Sequence, residues 1–349
     1  MGSAVGQLLV LSDPRDEPAR RPRLRRLLRP LLNDERDSPF VSLSLLLSAT
    51  VIPLAIYLCL PGGFSWWLAT VYLALVLGVW LGPFILMLHN TSHRPLFRPR
   101  YQALNLYVPW VLGPFFGLAP EGYYVHHVGM HHPENNLPDD LSSTMRYQRD
   151  SVADFARFLG RFFLAGVPEL FQYMWRRRRT KLLRLLALGE VGASAALLAL
   201  LLVNWRAAVV IFVVPFVVAR VAMMSGNWAQ HAFIDAGDPA NSFRNSITCI
   251  NCGYNRRCFN DGYHIGHHLK PTRHWTEMPG DFEASRARYG REAAIVFAGV
   301  DFFGVWLLLM LKRYDRLAAH FVQLGSEPLS RTEVVTLLRE RTRRIAPAA

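Results

Sequence analysis

SWWLATVYLALVLGVWLGPFILMLHNTSH, residues 65–93, sets the fold of this chain. Residues 65–88 carry no charged side chain and, as a helix, are long enough to cross about 30 Å of hydrocarbon. The stretch then ends on two histidines, His89 and His93, one helical turn apart. A transmembrane helix that delivers imidazoles to one side of the bilayer is the unit from which the rest is read.

Working outward, residues 42–60 form an equally apolar run, separated from the first only by PGGF, so the two predict a helical hairpin. A second hairpin is expected from residues 185–203 and 207–226, joined around Asn204, Trp205 and Arg206 and followed at once by NWAQH, residues 227–231. Lys and Arg collect before residue 40, at 94–100, across 176–184 and after 256, whereas PGGF has none. Basic flanks favour the cytoplasmic side, which places both termini and all the histidine clusters in the cytosol.

The expected fold is therefore an all-α integral membrane protein with two transmembrane helical hairpins (four spans), interfacial helices and a cytosolic histidine-rich cap. Residues 1–40 read as a basic cytosolic arm, 41–312 as the membrane domain with its cap, and 313–349 as a charged helical tail opening on a Ser330–Glu333 capping box. Residues 102–119 hold Pro109, Gly113, Pro114 and Gly117 and lie between two cytosolic clusters, so a re-entrant or interfacial segment is expected. Ser151–Asp154 starts a helix with phenylalanines at helical spacing, suited to the headgroup layer or to the core of the cap. Residues 293–311 are expected as one interfacial helix, because crossing would bury Asp301.

Composition agrees. The chain of 349 residues is 51% hydrophobic yet carries a formal charge of +13. The arginines crowd beside apolar spans, at 20–29 and 176–184, with no nucleic-acid module, so anionic lipid of the bilayer is the expected partner and nucleic acid is not. No cleaved signal and no myristoylation are expected at MGSAVG. Of the four cysteines, Cys249, Cys252 and Cys258 near the third cluster are expected to be reduced, and the Cys249/Cys252 pair to be small buried side chains.

Besides His89 and His93, clusters stand at His127, His131 and His132 (HVGMHH) and at His264, His267 and His268 (HIGHH), with His231 closing NWAQH. One ion takes at most about six ligands, usually four or five, so this many imidazoles suggests two ions. In an α-helix His264, His267 and His268 share a face and are expected to point at one centre. The second cluster is less regular: His127 and His131 share a face, His132 is turned about 100° away, and His126 is an alternative to His127. Asp235, Asp261 and Glu277 are candidates to accept the second imidazole N–H. His274 and His320 read as hydrogen-bonded structural residues.

HxxxH, HxxxHH and HxxHH in this order, placed against four apolar runs over about residues 42–280, resemble the membrane-bound fatty acid desaturase and hydroxylase superfamily, a histidine-box, non-haem diiron family. Acyl desaturases of that family also carry an asparagine and a histidine at the end of the fourth span, matched here by Asn227 and His231, with Asn227 able to reach metal through a water. The resemblance implies two iron ions, with O2 and external electrons as co-substrates, and a C–H bond of a fatty acyl chain or lipid as the target. No haem-binding HPGG is present, so a separate donor of ferredoxin or cytochrome b5 type is implied. Asn227 and the third box favour desaturation; a lipid or carotenoid hydroxylase or ketolase is the alternative within the superfamily. A membrane zinc hydrolase and a metal transporter are the outside alternatives. The first has too many clustered ligands against it, and the second needs polar ligands near mid-membrane, where the candidate spans offer almost none apart from Glu190 near an end.

Overall fold

The computed structural model describes residues 10–15 and 22–345; the MGSAVG segment and Arg20 and Arg21 of the basic arm lie outside the described residues. The protein is mostly helical, and among the described residues three helices are long and apolar enough to cross a membrane: Glu35–Cys59, Trp66–His93 and Thr180–Gln230. The third is a run of 51 residues, roughly 75 Å if it were straight. It is not straight. Asn204 leaves helical geometry (φ −151°, ψ 83°), and its Oδ1 accepts from Ala207 N at 3.1 Å, so it caps a new helix as the run turns. Its Nδ2 donates to the carbonyl of Leu58 at 3.2 Å, which puts this break beside the far end of the first helix.

Residues 102–119 form no straight span. Short, tight or widened helical turns follow one another to Gly117, whose φ of +74° requires glycine. A Cβ there would also lie 2.2 Å from Phe216 N, so backbone packs directly on the second half of the 180–230 run. Phe84 and Phe116 stack at 4.0 Å and tie this segment to the 66–93 helix.

Two expectations are corrected. The chain is not all-α: Ile247–Ile250 pairs in parallel with Ile295–Ala298. Residues 293–311 are consequently not one helix, but a strand, a turn at Gly299 and a helix over Phe302–Met310 capped by Asp301, whose Oδ1 accepts from Gly304 N. The connection between the two strands contains the third histidine cluster, so the small sheet anchors both ends of the segment that carries it.

Residues 331–341 form a helix with the complete capping box at Ser330 and Glu333. Val334 and Leu338 pack with Phe297 and Leu317. The fully buried Arg149 donates to the carbonyls of Ala232 and Arg341, joining this helix to the segment just after His231. The four cysteines are free thiols, Cys249 and Cys258 being buried.

Candidate metal centre

Nine histidines from all four clusters meet in two groups. His89, His93, His127, His132 and His267 form one; His131, His231, His264 and His268 form the other; within each, the ring nitrogens lie within 4.8 Å of one another. The closest approaches are between Nε2 atoms: 2.9 Å for His89–His267 and His132–His267, 3.0 Å for His264–His268, 3.1 Å for His127–His132 and 3.3 Å for His231–His264.

The grouping departs from the expected one at two clusters. His264 and His268, at i and i+4, share a group, while His267 turns to the other, so the third cluster serves two centres. In the second, residues 127–131 wind as a π-turn in which His132 N–H bonds to His127 O. Closing i→i+5 brings His127 and His132 together, with Nε2 atoms 3.1 Å apart, and sends His131 to the opposite group. His126 joins neither group. Asn227 Nδ2 donates to Ser142 O at 3.0 Å, and the residue borders the cavity described below.

Outer partners fix the rings. His89 Nδ1 is 3.1 Å from Asp261 Oδ1, whose other oxygen accepts from the Tyr254 hydroxyl at 2.7 Å. His131 Nδ1 is 2.7 Å from Asp140 Oδ2, and His231 Nδ1 is 2.9 Å from the carbonyl of Asn245. Each acceptor places the imidazole proton on Nδ1 and leaves the Nε2 lone pair free. Asp261 was legible in the sequence. Asp235 and Glu277 take other roles, pairing with Arg341 and Arg36. Asp140 was missed; PENNLPDD after the second cluster was the available signal, a turn able to bring an aspartate back under His131.

Burial disfavours the charged form of several of these rings. Burial, and then the neighbouring imidazoles, push His127, His264, His267 and His268 well below the ordinary histidine range, and burial is the main cause that lowers His231 to about 4. Burial works to raise Asp140, but the proximity of His131 and donors from His131 and Ser142 hold it well below the usual carboxylate range. Buried neutral imidazoles with lone pairs aimed at one another suit a soft or borderline divalent cation, so the donor set fits two iron ions.

A cavity of about 340 Å³ adjoins the groups; His89, His127, His131 and His264 form part of its wall, and the rest is largely apolar, including Leu81, Ile85, Phe162 and Leu170. His274 and His320 are structural, as expected: His274 bridges Asp37 (2.9 Å) and Thr276 (2.8 Å), and His320 Nδ1 meets Ala298 O.

Helices long and apolar enough to cross a membrane, joined to two histidine groups whose donors suit metal ions, mark the class of protein. A family model described as fatty acid desaturase matches residues 65–300, well over half of the chain, and the chain belongs to that family. Comparison with curated proteins and with solved structures gave no match.

Proposed function

We propose that this protein is an O2-dependent oxidoreductase that introduces a C=C bond into a fatty acyl chain or lipid, with one iron ion at each histidine group. The observation that carries the reading is that nine buried or half-buried imidazoles form two groups and that four of them wall a largely apolar cavity. Bound there, two irons supply the power to break an unactivated C–H bond. The reaction balances as R–CH2–CH2–R + O2 + 2e⁻ + 2H⁺ → R–CH=CH–R + 2H2O.

The chain's own residues do the rest. Asp261, Asp140 and the Asn245 carbonyl hold three rings in one tautomer. Apolar walls exclude bulk water from the reacting centre. The Asn227 carboxamide, on the cavity wall, reaches the centre through a water. Electrons come from a separate donor of ferredoxin or cytochrome b5 type, drawn to a basic chain.

Four spans are the natural reading of the three long helices, because the 180–230 run breaks at Asn204. That break lies against Leu58, beside the exposed Trp66, Trp67 and Trp205, a set of aromatics suited to one membrane interface. His93 and His231 end the helices that lead away from that level. With basic segments on the histidine side, the metal centre and both termini are cytosolic in a multi-pass protein of a bacterial inner membrane or the endoplasmic reticulum.

The test is turnover with a reductase system under ¹⁸O2. The expected result is an unsaturated lipid with no ¹⁸O in it. An ¹⁸O-labelled alcohol or ketone transfers the protein to the hydroxylase and ketolase branch.

A further inference from the structure

The cavity wall holds an arginine and a glutamate that the metal chemistry does not use. Arg220 and Glu190 both line it, and each is ten residues from the end of the 180–230 run, Glu190 from Thr180 and Arg220 from Gln230. Both ends lie near the histidines: Arg179 donates to Gly129 O in the π-turn, and His231 follows Gln230. At 1.5 Å per residue, their Cα atoms lie about 15 Å along the helix from those ends, inside a hydrocarbon layer about 30 Å thick.

Arg220 is poorly satisfied there. It is 9% exposed, its guanidinium stacks 3.6 Å from the Phe216 ring centre, and its one hydrogen bond is a long contact of 3.5 Å to Gly117 O. No carboxylate lies within 4 Å of it among the described residues, although Glu190 is near enough to act on it electrostatically. His126 lines the same cavity, and its buried Nε2 has no partner. A guanidinium has five donors, and leaving them unmet in an apolar site is costly. Ionisable side chains at this depth mark substrate pathways.

We propose that Arg220, with Glu190 and His126, forms a subsite for an uncharged oxygen function, a hydroxyl or carbonyl, on the buried end of the substrate. An oxygen there accepts from Arg220. Glu190 offsets the arginine's charge, accepts from a hydroxyl and disfavours a carboxylate. Because the cavity runs from Arg220 to His131, anchoring this end sets which carbon lies beside the histidine groups. A cavity of about 340 Å³ is at the lower end of the usual range of roughly 300–1,000 Å³ and suits one chain.

The proposal deepens the acyl-chain reading and rests on it, but its test reads binding and needs no turnover. Purified full-length protein in detergent is titrated with 1-dodecanol, dodecane and dodecanoate, and binding is followed by the rise in Tm; comparing variants on the same probe cancels micelle partition. Wild type is expected to bind the alcohol at least about tenfold more tightly than the alkane, as a hydrogen bond to a charged group allows. Arg220→Met is expected to bring that ratio near one. Glu190→Gln is expected to gain affinity for dodecanoate severalfold, a gain that a misfolded protein cannot produce. Equal binding of alcohol and alkane by wild type, an alcohol preference that survives in Arg220→Met, or tighter binding of dodecanoate than of the alcohol by wild type would overturn the subsite. Finding zinc in place of iron would remove the oxidative reading and leave these binding results standing.

Discussion

The helix His264–Leu269 and the turn His127–His131 each give histidines to both groups, by different backbones. The first is regular: His264 and His268 pair at i, i+4, while His267, one residue off, faces the other way. The second widens into a π-turn so that the pair becomes His127 and His132, at i, i+5. Two turns of different winding thus reach the same result, a pair for one group and a single ring for the other. The assignments are crossed, since the regular helix gives its pair to the group of four and the π-turn gives its pair to the group of five.

The hardest blow to that comparison is loss of the π-turn's own pair: in a His127→Ala, His132→Ala double variant we expect the five-histidine group to lose its metal, metal content to fall by about half and activity to vanish, whereas retention of full metal content would show that this pair does not hold metal. Next comes a pair of glycines. A Cβ on Gly262, at the entry to the regular helix, would meet Cys249 O at 2.2 Å, a backbone atom, whereas one on Gly129, inside the π-turn, meets the movable Leu182 Cδ1 at 2.9 Å. Overpacking costs about 1–3 kcal/mol, so Gly262→Ala is expected at or above the top of that range and Gly129→Ala near the bottom, read as the drop in Tm. The reverse order would mean that the π-turn is the stiffer of the two.

Removing one outer carboxylate per group separates them more finely. Asp140→Ala and Asp261→Ala are each expected to weaken metal binding about 10–100-fold, the first at the group of four and the second at the group of five. Metal titration of the two proteins checks this, and equal loss from both groups in either variant would argue against independent centres.

Acid should act on both groups alike. His127, His264, His267 and His268 have folded-state pKa values well below the unfolded value of about 6.5 and His231 lies at about 4, so at these rings the unfolded chain binds more protons. Their contribution is complete above about pH 6.5 and is lost as pH falls toward 4 and below, with metal leaving in the same window. A Tm that rises on acidification through this range would contradict the neutral-imidazole assignment. The smallest effect on metal is expected from His274→Ala, which breaks a buried contact with Asp37 and should lower Tm while leaving metal content unchanged.

The long apolar helices and the break at Asn204 were legible because apolar runs, PGGF and Asn-Trp-Arg are local signals. Eight of the nine histidines were legible by spacing, and His231 by its place just after the apolar run 207–226 and by the family resemblance. Their division was not: a helical-face argument treats i, i+3 and i+4 as one direction, whereas two centres a few ångströms apart distinguish His267 from His268. The π-turn leaves no mark in HVGMHH that a regular helix would lack. The strands ITCI and IVFA are apolar runs of four residues, too short for alternation to declare itself, and their pairing spans the whole third cluster. Asp140 could not be found by proximity in sequence alone, because the loop that returns it depends on Asn136 N–H and on Ser142.

Metal analysis of purified wild type, His267→Ala and His268→Ala, with Mössbauer spectra of iron-57-grown protein, tests the central claim most directly. The account predicts about two irons per chain in wild type, in two distinguishable environments, with the neighbouring substitutions depleting different ones. A single zinc in wild type, or the same site lost in both variants, would contradict it.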